Sequence, residues 1–572
     1  SLGLASSYAL SGFVVSQQYN PNFLDNLIYV PLILLGIEEI AGGKRSFKLP
    51  IFLSISLITN FYTGYMMCLF VALYTFYIIF STDDPLIEAL LKMGKVALFA
   101  LIGVGIAAFW LLPVFSALLE SKASAGSTFA WSWDFVNDVV GMPQKFILGS
   151  FGEKEWGDPK ALPQLYIGGL ALFGLFTFFA KKEITLLKKL SAIVVLLVLF
   201  LSFSIQGFDQ IWHMGQRPVG FFFRNSWVAN SFMLVLASES LLQWKDKFRL
   251  SEFLVAIFGF GSILVLSTQR SLQFVETPQK ILAFCFWTTI LLAFFFRKVD
   301  KVRRLQLVAG VVIIELMISS FVGLKRVPFF IGNEGLKSQM EYATAFDQEG
   351  YGGSKVFTRM EMHKGLSHAN FPIAYNYNGV SHFTSSLEYS LIEELSYLGL
   401  PSSQSVVNYT SRNVILDSFF GISNFMMDGD EKRIFSDVRG LYEKVGTLKN
   451  FAVYRNPYAF SLGYLTNESS ATNISFEAHQ PAANLNQLLQ VIGLSGANAL
   501  SEVSVGEPVT SNLTKSGDKY TLSNEGEYSN IEWKLTLEPN KLYFVEIPER
   551  QAGSVNKSKV KLNGLSYPYE NR

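Results

Sequence analysis

The residues of this sequence best suited to chemistry are arginines, a histidine and carboxylates set beside apolar runs. The stretch 207–225 carries His213, Arg217 and Arg224, with Phe221, Phe222 and Phe223 directly before the last. An arginine offers a planar fork that grips phosphate oxygens in bidentate fashion. At a membrane interface a lipid phosphate is the group within reach. Arg224 is placed ahead of Arg217 for that role, because its phenylalanine neighbours belong in the bilayer; the plain alternative is a side chain snorkelling to headgroups without specificity. Asp25 stands at the head of a helix-forming run. It either caps the helix or lines a cavity at the outer membrane face, where it is the catalytic carboxylate to consider. Asn60 and Tyr62 fall in a turn between two apolar runs, assigned to the same face. Asn378 and His382 lie in a polar, aromatic stretch, Tyr377-Asn378-Gly379-Val380-Ser381-His382, which suits either sugar contacts or a structural turn. Glu315 sits in the middle of an apolar run, where an ionisable group is costly and has either a functional role or a paired or protonated structural one.

Other chemistries lack their signatures. There is no phosphate-binding glycine loop, zinc-ligand spacing or nucleophile elbow, and the five histidines do not cluster in sequence. No metal ligand set is assigned. Cys68 and Cys285 both lie in apolar runs and read as small buried hydrophobes. With a formal net charge of +1, there is no basic stripe to hold nucleic acid.

The elements that must position these residues are membrane helices. Half of the 572 residues are hydrophobic and 16% are charged, against about 25% in an ordinary soluble domain; mean hydropathy is +0.29. A span needs about 20 apolar residues. Apolar runs near 2–18, 26–42, 48–60, 64–81, 96–118, 164–180, 190–206, 226–243, 252–268, 281–296 and 305–324 predict roughly eleven spans on that criterion. Basic residues gather in alternate loops, at Lys44, Arg45 and Lys48, at Lys92 and Lys95, at Lys181, Lys182, Lys188 and Lys189, at Lys245, Lys247 and Arg249, and from Arg297 to Arg304. By the positive-inside rule those loops are cytoplasmic. The alternation requires the 48–81 stretch to cross twice, turning at Asn60. It also puts the chain after residue 324 outside. An apolar segment starts at once from Ser1, and further residues are expected upstream.

From Lys325 the hydropathy falls. Residues 325–438 read as an extracytoplasmic α/β domain, with helices over 337–350 and 385–400. Residues 439–572 read as a β-rich, sandwich-like domain with strands at 451–454, 462–465, 519–522 and 542–547.

The order of several short motifs resembles the bacterial YfhO family. They are Asn22-Phe-Leu-Asp25-Asn-Leu, Pro31-Leu-Ile-Leu-Leu-Gly-Ile-Glu and Thr59-Asn60-Phe61-Tyr62-Thr63-Gly64-Tyr65-Met66, then Phe146-Ile-Leu-Gly149-Ser150-Phe151 and Pro163-Gln-Leu-Tyr166-Ile-Gly168. Tyr377-Asn378-Gly379-Val-Ser381-His382-Phe383 and Leu416-Asp417-Ser418-Phe-Phe-Gly421 follow in the outer domain. The resemblance implies a polytopic helical bundle of the GT-C glycosyltransferase type in the cell membrane of Gram-positive bacteria. It further implies a polyprenyl-phosphate-linked sugar as donor, an envelope polymer such as lipoteichoic or wall teichoic acid as acceptor, and membrane lipid as surroundings. No cofactor is assigned, and a divalent cation is left open. The family's main acidic catalytic motif, and with it the base the resemblance implies, belongs to a first outer loop that is expected to precede Ser1. A transporter or lipid flippase using Glu315 and the interrupted helices around Asn60 is the first competing reading; a non-catalytic envelope scaffold is the second.

Overall fold

The computed structural model describes residues 2–121, 129–218, 220–244, 249–269, 274–295, 301–327, 357–363, 369–384, 387–400, 413–428, 440–448, 451–463, 480–493, 500–516, 519–524 and 529–539, with shorter pieces between 337 and 567. Much of the 337–350 helix and of the 542–547 strand expected from sequence lies outside these residues.

Close backbone approach at glycines organises the first helices. The chain opens with α1 (Leu2–Ala9) and α2 (Gly12–Ser16), and 3-10 turns at Pro21–Phe23 and Asp25–Ile28 lead into α3 (Val30–Ala41), α4 (Lys48–Thr59) and α5 (Phe61–Ile79). At Asn60 the backbone leaves helical geometry (φ −152°, ψ 101°), and α4 and α5 fold back on each other. A Cβ added to Gly64 would lie 2.9 Å from Leu57 Cα. Likewise α3 meets α4 where a Cβ on Gly36 would lie 2.6 Å from the Leu49 nitrogen. The expected turn at Asn60 is therefore present, but α4 has 12 residues, about 18 Å of helix against a hydrocarbon core of about 30 Å.

Helix length is where the expected eleven spans and the structure differ. Among the described residues six helices are long and apolar enough to cross a membrane. They are α5, α6 (Leu86–Glu120), α8 (Leu186–Ser204), α11 (Leu250–Gln269), α12 (Thr277–Phe295) and α13 (Lys301–Lys325). Shorter apolar helices include α4, the α1–α2 pair, α7 (Gly169–Ala180) and α10 (Ser226–Leu242); the small α9 (Gln206–Trp212) follows α8. Hydropathy counts apolar residues without seeing where backbone hydrogen bonding stops, so broken or short helices score as spans. The opposite error occurs at α6, which begins ten residues before the expected 96. Its 35 residues make about 52 Å of helix. Its large side chains, among them Leu98, Leu101, Phe109, Leu112 and Phe115, are exposed, as lipid-facing positions are.

Residues 1–116 and 126–330 form one compact unit; 117–125 and 331–572 form another. Inside the first unit, α7 and α10 pack closely at Gly174, where an added Cβ would lie 2.9 Å from Ala237 Cβ, and Thr177 and Ser240 share a 2.8 Å hydrogen bond. Aromatic stacking fills the space nearby, with Phe173 on Phe294 at 5.1 Å and Phe260 on Trp287 at 4.7 Å.

The second unit is built on a four-stranded sheet. Its first strand, β1 (Arg359–His363), is followed in the chain by β2 (His382–Phe383), β3 (Ser402–Ser403), β4 (Val406–Val407), β5 (Ile422–Asp428), β6 (Glu443–Leu448) and β7 (Phe451–Arg455). The sheet order is β1-β5-β7-β6, with β1 and β5 parallel and the rest antiparallel. Side chains alternate faces along a strand. Phe425, Met427, Ala452 and Tyr454 join one hydrophobic cluster, with Ile392, Leu395 and Leu416. Met426, Phe451 and Val453 join another, with Met360, Phe371 and Tyr377. Both faces are thus covered, as a parallel pair requires. The sheet draws strands from both sides of residue 439. After residue 456 the described residues hold a helix at Pro481–Val491 and three two-stranded pairs.

Candidate functional site

Asn60 builds the site from below. Its Oδ1 accepts from the Tyr62 and Thr63 N–H groups at 3.1 and 3.2 Å, capping α5, and its Nδ2 donates to Asn22 O at 2.7 Å. Buried Asn26 donates to Thr63 Oγ1 at 2.6 Å and to Asn60 O at 3.2 Å. The Asn22–Asn26 turn and the α4–α5 turn are therefore locked together through amide side chains, far apart in sequence. Asp25 lies in that turn, half-buried. It occupies the first position of a 3-10 turn whose cap is Leu24, and its carboxylate makes no hydrogen bond or ion pair among the described residues. The helix-cap reading of Asp25 is not what the fold uses.

The cap aims Tyr62 outward from the first turn of α5. Its hydroxyl and His213 Nδ1 share a hydrogen bond of 2.5 Å, and Tyr65 fixes the same segment by donating to Ile211 O at 2.8 Å. One helical turn before His213, Asp209 places Oδ1 3.3 Å from His213 Nε2, within ion-pair distance though not aligned as a hydrogen bond. Both side chains are buried. Asp209 was not picked out from the sequence; the signal was there, since an Asp four residues before a His shares its helix face.

Arg224 covers this cluster. Its guanidinium carbon lies 5.2 Å from the Tyr62 ring centre and 5.0 Å from that of Phe23, in cation–π range. Nε and Nη2 donate to the carbonyls of Phe221 (3.1 Å) and Gly220 (2.9 Å). Those bonds hold a strained loop: Met214, Phe221 and Phe223 have φ of 57°, 51° and 55°, a region that side-chain-bearing residues occupy at a cost of roughly 1–3 kcal/mol each. Part of the fork expected to grip phosphate is thus spent on its own loop.

Arg217 is not brought onto Tyr62. It is exposed, donates to Pro159 O at 2.9 Å and lies 5.9 Å from the Phe222 ring. Beside it the 145–164 segment pairs buried Lys145 with half-buried Glu155, which no sequence signal marked. Lys145 Nζ contacts Glu155 Oε1 at 2.5 Å and donates to Ser150 O at 2.6 Å, and Gln164 donates to Glu155 Oε2 at 3.0 Å. Burial pushes the Lys145 ammonium below its ordinary value and Glu155 opposes that shift.

Glu315 has a scaffold task. Both carboxylate oxygens lie 3.0 Å from the Gly169 nitrogen, so the side chain caps α7 from a neighbouring helix. The absence of a Cβ at Gly169 admits it, since one would lie 3.1 Å from Glu315 Oε2.

Asn378 and His382 belong to the second unit. Asn378 donates to Thr358 O at 3.2 Å and its carbonyl accepts from Met360 N at 2.8 Å. His382 Nδ1 donates to Val380 O at 3.0 Å and sits on β2 against β4. Buried Glu361 holds the same turn by accepting from the N–H groups of Val380 and Ser381 and from Ser381 Oγ. Desolvation pushes its carboxyl up to about 7 against the pull of those donors. Asp417 accepts from Tyr409 at 2.6 Å and Tyr442 at 2.5 Å and is likewise raised by burial to about 7. The polar stretch at 377–382 is thus built into the scaffold as a turn.

The described residues contain no group of three or more His, Cys, Asp or Glu placed to hold a metal ion. No curated protein and no solved structure gives a significant match to the chain. The family model for the bacterial membrane protein YfhO matches residues 1–572, its whole length. With its apolar helices and this match from end to end, the chain belongs to the YfhO family of bacterial membrane proteins.

Proposed function

We propose that this protein is a membrane glycosyltransferase that moves a sugar from a polyprenyl-phosphate donor to an envelope polymer such as lipoteichoic or wall teichoic acid, and that its helical unit is a GT-C-type bundle with the second unit on the extracytoplasmic side. The observation that carries the reading is Arg224, held over Tyr62 and Phe23, with the unpaired carboxylate of Asp25 in the same turn as Phe23. Sugar transfer from a phosphate needs a fixed cation for the departing anion and a carboxylate for the hydroxyls of donor or acceptor. In this reading Arg224 receives the leaving phosphate and Asp25 orients the reacting hydroxyl, beside the packed aromatic pair of Phe23 and Phe221. Arg217 serves the phosphate or headgroup from the rim.

The transporter reading would use Glu315 and the helix break at Asn60; the transferase reading is preferred because Glu315 is engaged as a cap on α7. Removing a preorganised charge contact costs about 3 kcal/mol in the barrier. In the complete protein, Arg224→Ala is expected to lower sugar transfer roughly a hundredfold, and Arg224→Lys to restore only part of it, since an ammonium lacks the fork. Undiminished transfer by Arg224→Ala would remove the site.

A further inference from the structure

We propose that Asp209, His213 and Tyr62 form a proton relay that serves as the general base of this site, with Tyr62 as the group that meets the acceptor hydroxyl. The inference rests on the glycosyl-transfer reading above and assigns the step that reading leaves open, the destination of the acceptor's proton.

Three features of the geometry carry it. Asp209 and His213 are buried, and a buried carboxylate facing an imidazole is retained at a desolvation cost. The contacts then run in sequence: Asp209 Oδ1 lies at ion-pair distance from His213 Nε2, 3.3 Å, and His213 Nδ1 is hydrogen-bonded to the Tyr62 hydroxyl at 2.5 Å. Finally, the chain ends on the half-buried Tyr62, beneath Arg224. The Arg224 guanidinium carbon lies 5.2 Å from the Tyr62 ring centre and His213 meets the Tyr62 hydroxyl, so cation and relay meet at one side chain.

The proton inventory closes. With the ring proton on Nε2, at ion-pair distance from Asp209, His213 Nδ1 is free to accept. The acceptor oxygen bonds to the sugar's anomeric carbon as the bond from that carbon to the phosphate oxygen breaks, and the electron pair leaves on the phosphate beside Arg224. The acceptor's proton passes to the Tyr62 oxygen as the phenolic proton passes to His213 Nδ1. The resulting imidazolium is paired with Asp209 until its proton is released to water. Tyr62 is the catalytic residue of the relay, and His213 and Asp209 act through it. A base held by a partner in this way contributes about 100-fold or more.

The test uses the complete protein in proteoliposomes with short-chain polyprenyl-phosphate hexoses and N-acetylhexosamines as donors and a glycerol-phosphate oligomer as acceptor. Tyr62→Phe and His213→Gln are expected to lose about 100-fold in kcat with the donor KM little changed. Asp209→Asn is expected to lose kcat with the donor KM little changed; Asp209→Glu is expected to recover part of the rate. Thermal unfolding of each variant separates a lost relay from a lost fold. Were a variant to unfold, the solvent deuterium isotope effect on wild-type kcat still decides, since the relay moves two protons in the transfer step. Transfer by wild type with no solvent isotope effect, or with full rate in Asp209→Asn and His213→Gln, overturns the relay and leaves the transferase reading standing. No transfer by wild type from any donor overturns both.

Discussion

The hydroxyl of Tyr62 and Nδ1 of His213 meet at 2.5 Å across 151 residues of sequence, tying the first turn of α5 to the end of α9. That contact depends on the turn at Asn60, which sets where Tyr62 points, and on the loop after α9, which Arg224 holds in its strained form. Each of these supports has a measurable consequence.

Replacing Asn60 removes both the cap of α5 and the tie to Asn22. Asn60→Ala is expected to destabilise the helical unit by about 1–2 kcal/mol. Asn60→Asp keeps the capping oxygen but loses the donor to Asn22, and should fall between. Thermal unfolding in detergent reads the order, and equal stability for all three proteins would show that the cap contributes nothing.

Gly36 and Gly94 make a matched pair. A methyl at Gly36 would strike the α4 backbone 2.6 Å away, whereas at Gly94 nothing lies within 4 Å. Gly36→Ala is therefore expected to cost roughly 1–3 kcal/mol by overpacking. Gly94→Ala should be neutral or stabilising by up to about 1 kcal/mol, because glycine is a poor residue in a helix interior. Melting temperatures that change alike would contradict the close α3–α4 approach.

Glu315 separates a structural cap from a transport group. Glu315→Gln retains an oxygen for the Gly169 N–H and is expected to keep sugar transfer near wild type, while Glu315→Leu leaves that N–H buried without an acceptor and should cost about 1–3 kcal/mol. Loss of transfer in the isosteric Gln variant, with stability intact, would give the carboxylate a functional role.

The second unit carries a pH dependence with a definite sign. Burial raises the Glu361 carboxyl from 4.5 to about 7, so the folded unit holds a proton that the unfolded chain has released. The associated stability is complete below pH 4.5 and is lost as pH rises through about 7. For Glu361 alone the change is about 3 kcal/mol. Asp417 acts in the same direction. The free energy of hydrogen exchange at β5 and β7 in the complete protein, with the intrinsic pH dependence of exchange divided out, should fall between pH 5 and 7, and Glu361→Gln should flatten that trend. Exchange free energies that rise over this interval would contradict the assignment.

Much of the architecture was legible in sequence because it follows from local rules. Asn60 marked a break between two apolar runs, and an asparagine there is a natural cap. Tyr389–Tyr397, β7 and β10 (Lys519–Leu522, after β8 at Val509–Ser511 and β9 at Leu513–Ser516) follow periodicity. Legibility failed where tertiary contacts decide. Hydropathy could not distinguish the 12-residue α3 and α4 from full spans, because both are equally apolar. Nor did it reveal that Glu315 would find the open end of α7, or that the turn at 377–382 would be held by Glu361. At the site, His213, Arg224, Asn60 and Tyr62 were picked out and converge, whereas Arg217 turns to Pro159. Asp209, Lys145 and Glu155 were passed over because a buried charge becomes recognisable only once its partner is known.

The measurement that bears most directly on the function is sugar transfer by the purified complete protein alone. Proteoliposomes would carry a polyprenyl-phosphate-linked sugar, labelled in the sugar, with a glycerol-phosphate polymer outside. Label appearing on the polymer, matched mole for mole by released polyprenyl phosphate and reduced in Arg224→Lys, is the expected result. An intact donor that crosses the bilayer without being consumed, or an unlabelled polymer after donor and acceptor have both been shown to bind, would contradict it.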